Sequence, residues 1–158
     1  MIDLLKTCLG KSLDDVSIHG IVDTNDKPAD FLPLMDYIFI TIGGASVRLL
    51  RHEVSLRLSV SITDEAPVFC EFEEGHLPCR SRIGSYVLAD PNSDQNQIKR
   101  FVLYGVASDS FAAFEIQLES GQMLFFDPTF IDGINFGGQE QKAIWLSNSE
   151  LVDSIVIE

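Results

Sequence analysis

Long apolar runs are missing from this chain. Nowhere does it approach the ~18 consecutive apolar residues of a membrane span, and Met1-Ile2-Asp3-Leu4-Leu5-Lys6 has no basic stretch ahead of a long apolar one. A soluble, unexported, cytoplasmic protein with no membrane partner is the expectation. Cysteine is scarce and odd in number: Cys8, Cys70 and Cys79 are too few and too widely spaced for the disulfide framework of a small secreted domain, which fits a reducing compartment. Cys70, His76 and Cys79 form C-x5-H-x2-C, but no spacing supplies a fourth ligand, so no metal is expected there.

Basic residues are scarce too. Against 24 Asp and Glu stand 11 Lys and Arg, a formal net charge of −13. That balance argues against a nucleic-acid binder, which needs a cationic footprint on phosphate. The deficit is concentrated in residues 101–158, where nine acidic residues face the single base Lys142. Such a surface raises the encounter rate with a cationic partner, or serves only solubility.

Catalytic signatures are also lacking. Gly10-Lys11-Ser12 imitates the end of a phosphate-binding loop, yet Leu5 stands where its first glycine belongs. His52-Glu53 begins like a zinc-protease helix, but Leu56 occupies the place of the second histidine. No G-x-S-x-G elbow or dinucleotide fingerprint is present, and the three histidines are scattered. Glu71 and Glu73 share one face of a predicted strand without a visible cleft. A non-catalytic protein without a cofactor is therefore expected, although an uncharacterised hydrolase is a further alternative.

What the chain does have is many short strand patterns. With 158 residues, 46% of them apolar and 22% charged, it fits one globular domain over 1–158 with one core. Ile2, Leu5 and Leu9, continued by Leu13 and Val16, predict a short N-terminal helix ended or broken near Gly10, and 23–33 reads as a surface loop. Residues 35–42 and 45–51 flank Gly43-Gly44 as a hairpin, and Val54, Leu56, Leu58, Val60 and Ile62 alternate as a further strand. Short strands are also predicted at 68–73 and 83–88. From Phe101 a meander follows, with strands at 101–107, 111–118 and 122–127, then shorter ones at 142–146 and 154–157. The absence of a fixed repeat and of crossover helices favours a mainly β fold, an antiparallel sandwich or open barrel with a short N-terminal helix, with α+β as the alternative.

The segment Phe125-Phe126-Asp127-Pro128-Thr129-Phe130-Ile131-Asp132-Gly133-Ile134-Asn135-Phe136-Gly137-Gly138 concentrates four phenylalanines and two aspartates in an expected strand end and long loop. Aromatic anchors ringed by acids suit a basic protein partner. Alternatively, Phe130, Ile134 and Phe136 plug the end of the sandwich. The expected contact surface comprises Glu115, Glu119, Asp127, Phe130, Asp132 and Glu140. The functional expectation is a cytosolic binding or inhibitory protein, immunity- or antitoxin-like, presenting acid to a cationic target. A small-molecule-binding barrel or sandwich lined by Tyr104, Phe114 and Trp145 is the alternative. An open sheet also has edges, which a homo-oligomer would cover.

Overall fold

The structure, a computed structural model, describes residues 1–25, 27–63, 74–149 and 152–158. The predicted strand at 68–73, with its Glu71 and Glu73 pair, and Cys70 of the cysteine–histidine motif lie outside the described residues. The fold is mainly β: two antiparallel five-stranded sheets packed as a sandwich, with a short N-terminal helix. The elements run α1 (Ile2–Lys6), β1 (Leu13–Asp23), β2 (Asp30–Ile42), β3 (Ala45–His52), β4 (Arg57–Ile62), β5 (His76–Arg82), α2 (Gly84–Val87), β6 (Ile98–Tyr104), β7 (Ala113–Leu118), β8 (Met123–Phe130), β9 (Gly133–Gly137), α3 (Gln139–Asn148) and β10 (Ser154–Ile157). Strand order is β4-β3-β2-β1-β5 in the first sheet and β10-β6-β7-β8-β9 in the second. Among the described residues no helix is long and apolar enough to cross a membrane.

Alternation builds the core. Ile38, Ile40 and Ile42 of β2 and Val47 and Leu49 of β3 meet Phe101 and Leu103 of β6, Phe114, Ile116 and Leu118 of β7, and Leu124 and Phe126 of β8. The Gly43-Gly44 hairpin is present, with φ of 54° and 78° at the two glycines, a geometry that costs a residue with a Cβ about 1–2 kcal/mol. The apolar runs on either side of the 23–33 loop pair as β1 and β2, and β2 begins inside that predicted loop, at Asp30. The meander is β6, β7 and β8 in direct antiparallel succession.

Five local expectations are corrected, the last of them at the β8–β9 segment. Leu13 and Val16 do not continue a helix: both enter the core from β1, where a register shift between Leu13 and Asp15 changes the parity of the strand and imitates helical spacing. Val54 and Leu56 are not strand residues, because the chain turns there. Leu56 sits at φ 51° and its N–H donates to His52 O at 2.8 Å, which leaves Val54 fully exposed. The strand expected at 83–88 is the single turn α2. Gly84 N–H donates to Asp15 Oδ1 at 2.8 Å, and a Cβ there would lie 2.3 Å from that oxygen. The strand expected at 142–146 is instead part of α3, whose opening Gln139-Glu140-Gln141-Lys142-Ala143 is rich in helix formers. Helical period brings Gln141, Lys142 and Trp145 to one side, where a strand would have alternated them.

The segment 125–138 is a hairpin, β8 to β9, rather than a long loop. Gly133 makes it possible: it holds φ 124°, and a Cβ there would stand 2.6 Å from the backbone and Cβ of Met35 on β2. Gly133→Ala is expected to cost ~2 kcal/mol or more, because strain and overlap combine. Gly44→Ala has open space at its Cβ and carries only the positive-φ penalty. Urea melts of both variants check that order.

Candidate functional site

The β8–β9 hairpin reaches across the sandwich and is fastened at its tip by one arginine. Arg51, at the end of β3, donates from Nε to Pro128 O at 2.8 Å, from Nη2 to Phe130 O at 3.0 Å and from Nη1 to Asp36 Oδ1 at 2.7 Å. Its side chain is 8% exposed. A planar guanidinium spans three acceptors from two sheets in a way that a lysine ammonium does not. Beyond this clamp Phe130 is 50% exposed and Ile131 87%, and Asp132 is on the surface. Behind them Ile134 is buried and Phe136 half-buried against the core, so the hairpin both plugs the end of the sandwich and presents an apolar tip.

Two depressions adjoin the tip. One, of about 160 Å³, is lined by Met35, Phe130, Asp132, Gly133, Ile134 and Asn135. The other, of about 470 Å³, is lined by Asp36, Leu50, Arg51, His52, Glu53, Val54 and Ser55. Met35 and Asp36 are chain neighbours, and Arg51 lines one depression while bonding Phe130 of the other. The two are separate depressions, and Arg51 links the residues around them. Through Arg51 the exposed Phe130, Ile131 and Asp132 are tied to the end of β3, next to the turn that carries exposed Glu53 and Val54, while Asp36 is paired with Arg51 itself. Sequence reasoning missed Asp36, Glu53 and Val54, because only the fold carries the β3–β4 turn to the tip.

The six residues expected to form one surface are divided among several places. Phe130 and Asp132 are at the tip. Glu119 is exposed in the β7–β8 turn, at the opposite end of β8 from Phe130. Glu140 is exposed in the first turn of α3. Glu115 and Asp127 are buried beneath α3, on the outer face of the second sheet, and present nothing to a partner.

That covered face has its own order. Val102, Tyr104, Ala113 and Phe125 point away from the inter-sheet core, and Trp145 of α3 closes over them, 5.4 Å from the Tyr104 ring and 5.6 Å from that of Phe125. Glu115 accepts from Tyr104 Oη at 2.7 Å, from Lys142 Nζ at 2.8 Å and from Gln117 Nε2. Burial alone would push its carboxyl up, but the hydrogen bonds from Lys142, Tyr104 and Gln117 and the Lys142 charge prevail and hold it below the usual glutamate range. Burial likewise works against the Lys142 charge, yet its bonds to Glu115 and Tyr104 raise its pKa. The Tyr104 hydroxyl is pushed up, chiefly by burial. Asp127 accepts from Thr129 N–H at 2.8 Å, Thr129 Oγ1 at 2.6 Å and Gln141 Nε2 at 3.0 Å, and Gln141 Oε1 accepts from Asn135 at 2.9 Å.

The residues suggested as a small-molecule lining separate. Phe114 is in the inter-sheet core while Tyr104 and Trp145 pack on the opposite face of the sheet, so they do not line one cavity. His52 Nε2 lies 3.0 Å from Ser59 Oγ on neighbouring strands, in a shallow depression shared with Ser55, Ser108, Asp109 and Ser110. Among the described residues no cluster of His, Cys, Asp and Glu could hold a metal ion.

Lys142→Met should cost about 3 kcal/mol, because it leaves Glu115 buried without its cation, and adding Glu115→Gln should recover most of that loss. The pH dependence follows from the shifts. Glu115 contributes stability above the ordinary glutamate value and loses it as pH falls through its lower folded value. Lys142 contributes fully below the ordinary lysine value and loses it as pH rises through its higher folded one. Urea midpoints over an acid series should therefore fall less steeply in Glu115→Gln than in the wild type. No protein-family model, no curated protein and no solved structure matches this chain.

Proposed function

We propose that the chain is a non-catalytic binding or inhibitory protein that receives a basic protein partner on the β8–β9 tip. The observation that carries this reading is the clamped tip itself: Arg51, anchored on Asp36, holds the hairpin backbone at Pro128 and Phe130 and leaves Phe130 and Ile131 out to solvent, with exposed Asp132 and Glu53 nearby. Interface energy concentrates on a few large side chains held rigidly, because less entropy is lost on docking. The acids contribute mainly to encounter and selectivity. A cationic toxin neutralised in an immunity- or antitoxin-like manner, in a reducing cytoplasm, is the version we favour; Cys8 and Cys79 are free thiols, as that compartment requires.

Residues away from the tip are controls. Phe130→Ala with Asp132→Lys should abolish capture of a basic partner from host lysate, while Glu119→Lys, at the far end of the sheet, should leave it intact. Once the partner is purified, its association rate should fall about tenfold or more between low and high salt, as screened steering requires. Capture that survives the tip variant, or an association rate indifferent to salt, would rule the reading out.

A further inference from the structure

The second sheet ends at β10, an edge strand with two exposed apolar residues at its centre. β10 pairs with β6 alone among the described residues, from Ser154 opposite Tyr104 to Ile157 opposite Phe101. Gly105 N–H donates to Asp153 O at 2.7 Å. In an antiparallel ladder the bonded positions alternate, so Ile155 and Ile157 also face β6, and the N–H and C=O of Ser154 and Val156 turn to the open side. Ile155 is 39% and Val156 48% exposed, one on each face of the strand. Natural sheets usually blunt such an edge with lysine, proline or a bulge, and none of these occurs in Ser154–Ile157.

What the edge does carry is acid at both ends, Asp153 and Glu158, both exposed. A second copy is a poor occupant. Antiparallel self-pairing would set the Asp153 end of each strand beside the Glu158 end of the other, between two chains of net charge −13. We infer that β10 captures an extended peptide segment as an added antiparallel strand, one with two apolar residues at its centre and a basic residue at each end. Backbone bonds to Ser154 and Val156 hold the peptide, Ile155 and Val156 receive its apolar pair, and Asp153 and Glu158 select its flanks. This edge is separate from the β8–β9 tip, and its readout involves neither Phe130 nor Asp132, so either reading can fail without the other.

The test uses the full chain and two fluorescein-labelled hexapeptides, Arg-Thr-Val-Val-Thr-Arg and Glu-Thr-Val-Val-Thr-Glu, followed by anisotropy at low salt. The arginine-flanked peptide should bind saturably and the glutamate-flanked one about tenfold more weakly or not at all. Val156→Pro removes an edge-facing N–H without removing a bond to β6, and should abolish binding with the circular dichroism unchanged. Asp153→Lys with Glu158→Lys should reverse the preference between the peptides, which decides the matter even if the proline variant does not fold. No saturable binding of the arginine-flanked peptide, equal binding of the two, or binding unaffected by a folded Val156→Pro overturns the proposal. So does a dimer in sedimentation that Val156→Pro dissolves, since a second copy would then own the edge.

Discussion

Phe114 stands where the two sheets meet, its ring 5.6 Å from Phe101, 5.5 Å from Phe111 and 5.9 Å from Phe126. All four rings are essentially without solvent contact. Packing this aromatic layer fixes the parity of β6, β7 and β8, since side chains alternate along a strand and a slip of one residue would turn every ring outward. With Phe114 inward, Glu115 must point out. With Phe126 inward, Phe125 and Asp127 must point out. An aromatic and acidic outer face is therefore a consequence of the core, and α3 is what covers it. Trp145 supplies the apolar cover, while Lys142 and Gln141 supply the hydrogen bonds that the two carboxylates require once water is gone.

This arrangement changes the meaning of the chain's charge. The acidic final third carries one base, and that base is spent inside, on Glu115. Asp127 is satisfied by neutral donors instead. Within that third, the field that a partner meets therefore comes from other acids: Asp109 ahead of β7, Asp132 at the hairpin tip, Glu140 at the start of α3, Glu119 in a distant turn, and Asp153 and Glu158 flanking β10. These are separate surfaces, and the tip differs from the rest because Arg51 fixes its backbone from the opposite sheet and leaves Phe130 and Ile131 outside.

Where local chemistry decides the structure, the sequence was readable. Gly43-Gly44 between β-branched runs has few solutions other than a hairpin, and the alternation of Phe114, Ile116 and Leu118 with Glu115 and Gln117 places β7 in one register. Legibility failed where distant groups decide. Leu13 and Val16 keep helical spacing only because β1 is bulged, and Gly84 turns into α2 because the Asp15 carboxylate waits for its N–H. Lys142 to Leu146 is short and apolar enough to pass for a strand; the helix formers that precede it and the outer face of the second sheet that it covers together make it helical. The candidate site was half visible for the same reason: Phe130 and Asp132 stand out by composition, whereas the burial of Glu115 and Asp127 depends on a helix that local patterning did not reveal.

The division of the carboxylates into buried and exposed sets is the claim on which both the electrostatics and the choice of docking surface rest. Carbodiimide labelling of the folded protein, read residue by residue by mass spectrometry, tests it directly. Asp132, Glu119 and Glu140 should be modified readily, while Glu115 and Asp127 should stay unmodified until the protein is unfolded in urea. Modification of Glu115 in the folded protein at the rate of Glu140 would contradict the account, because α3 would then not cover the sheet and the acidic surface would have to be redrawn.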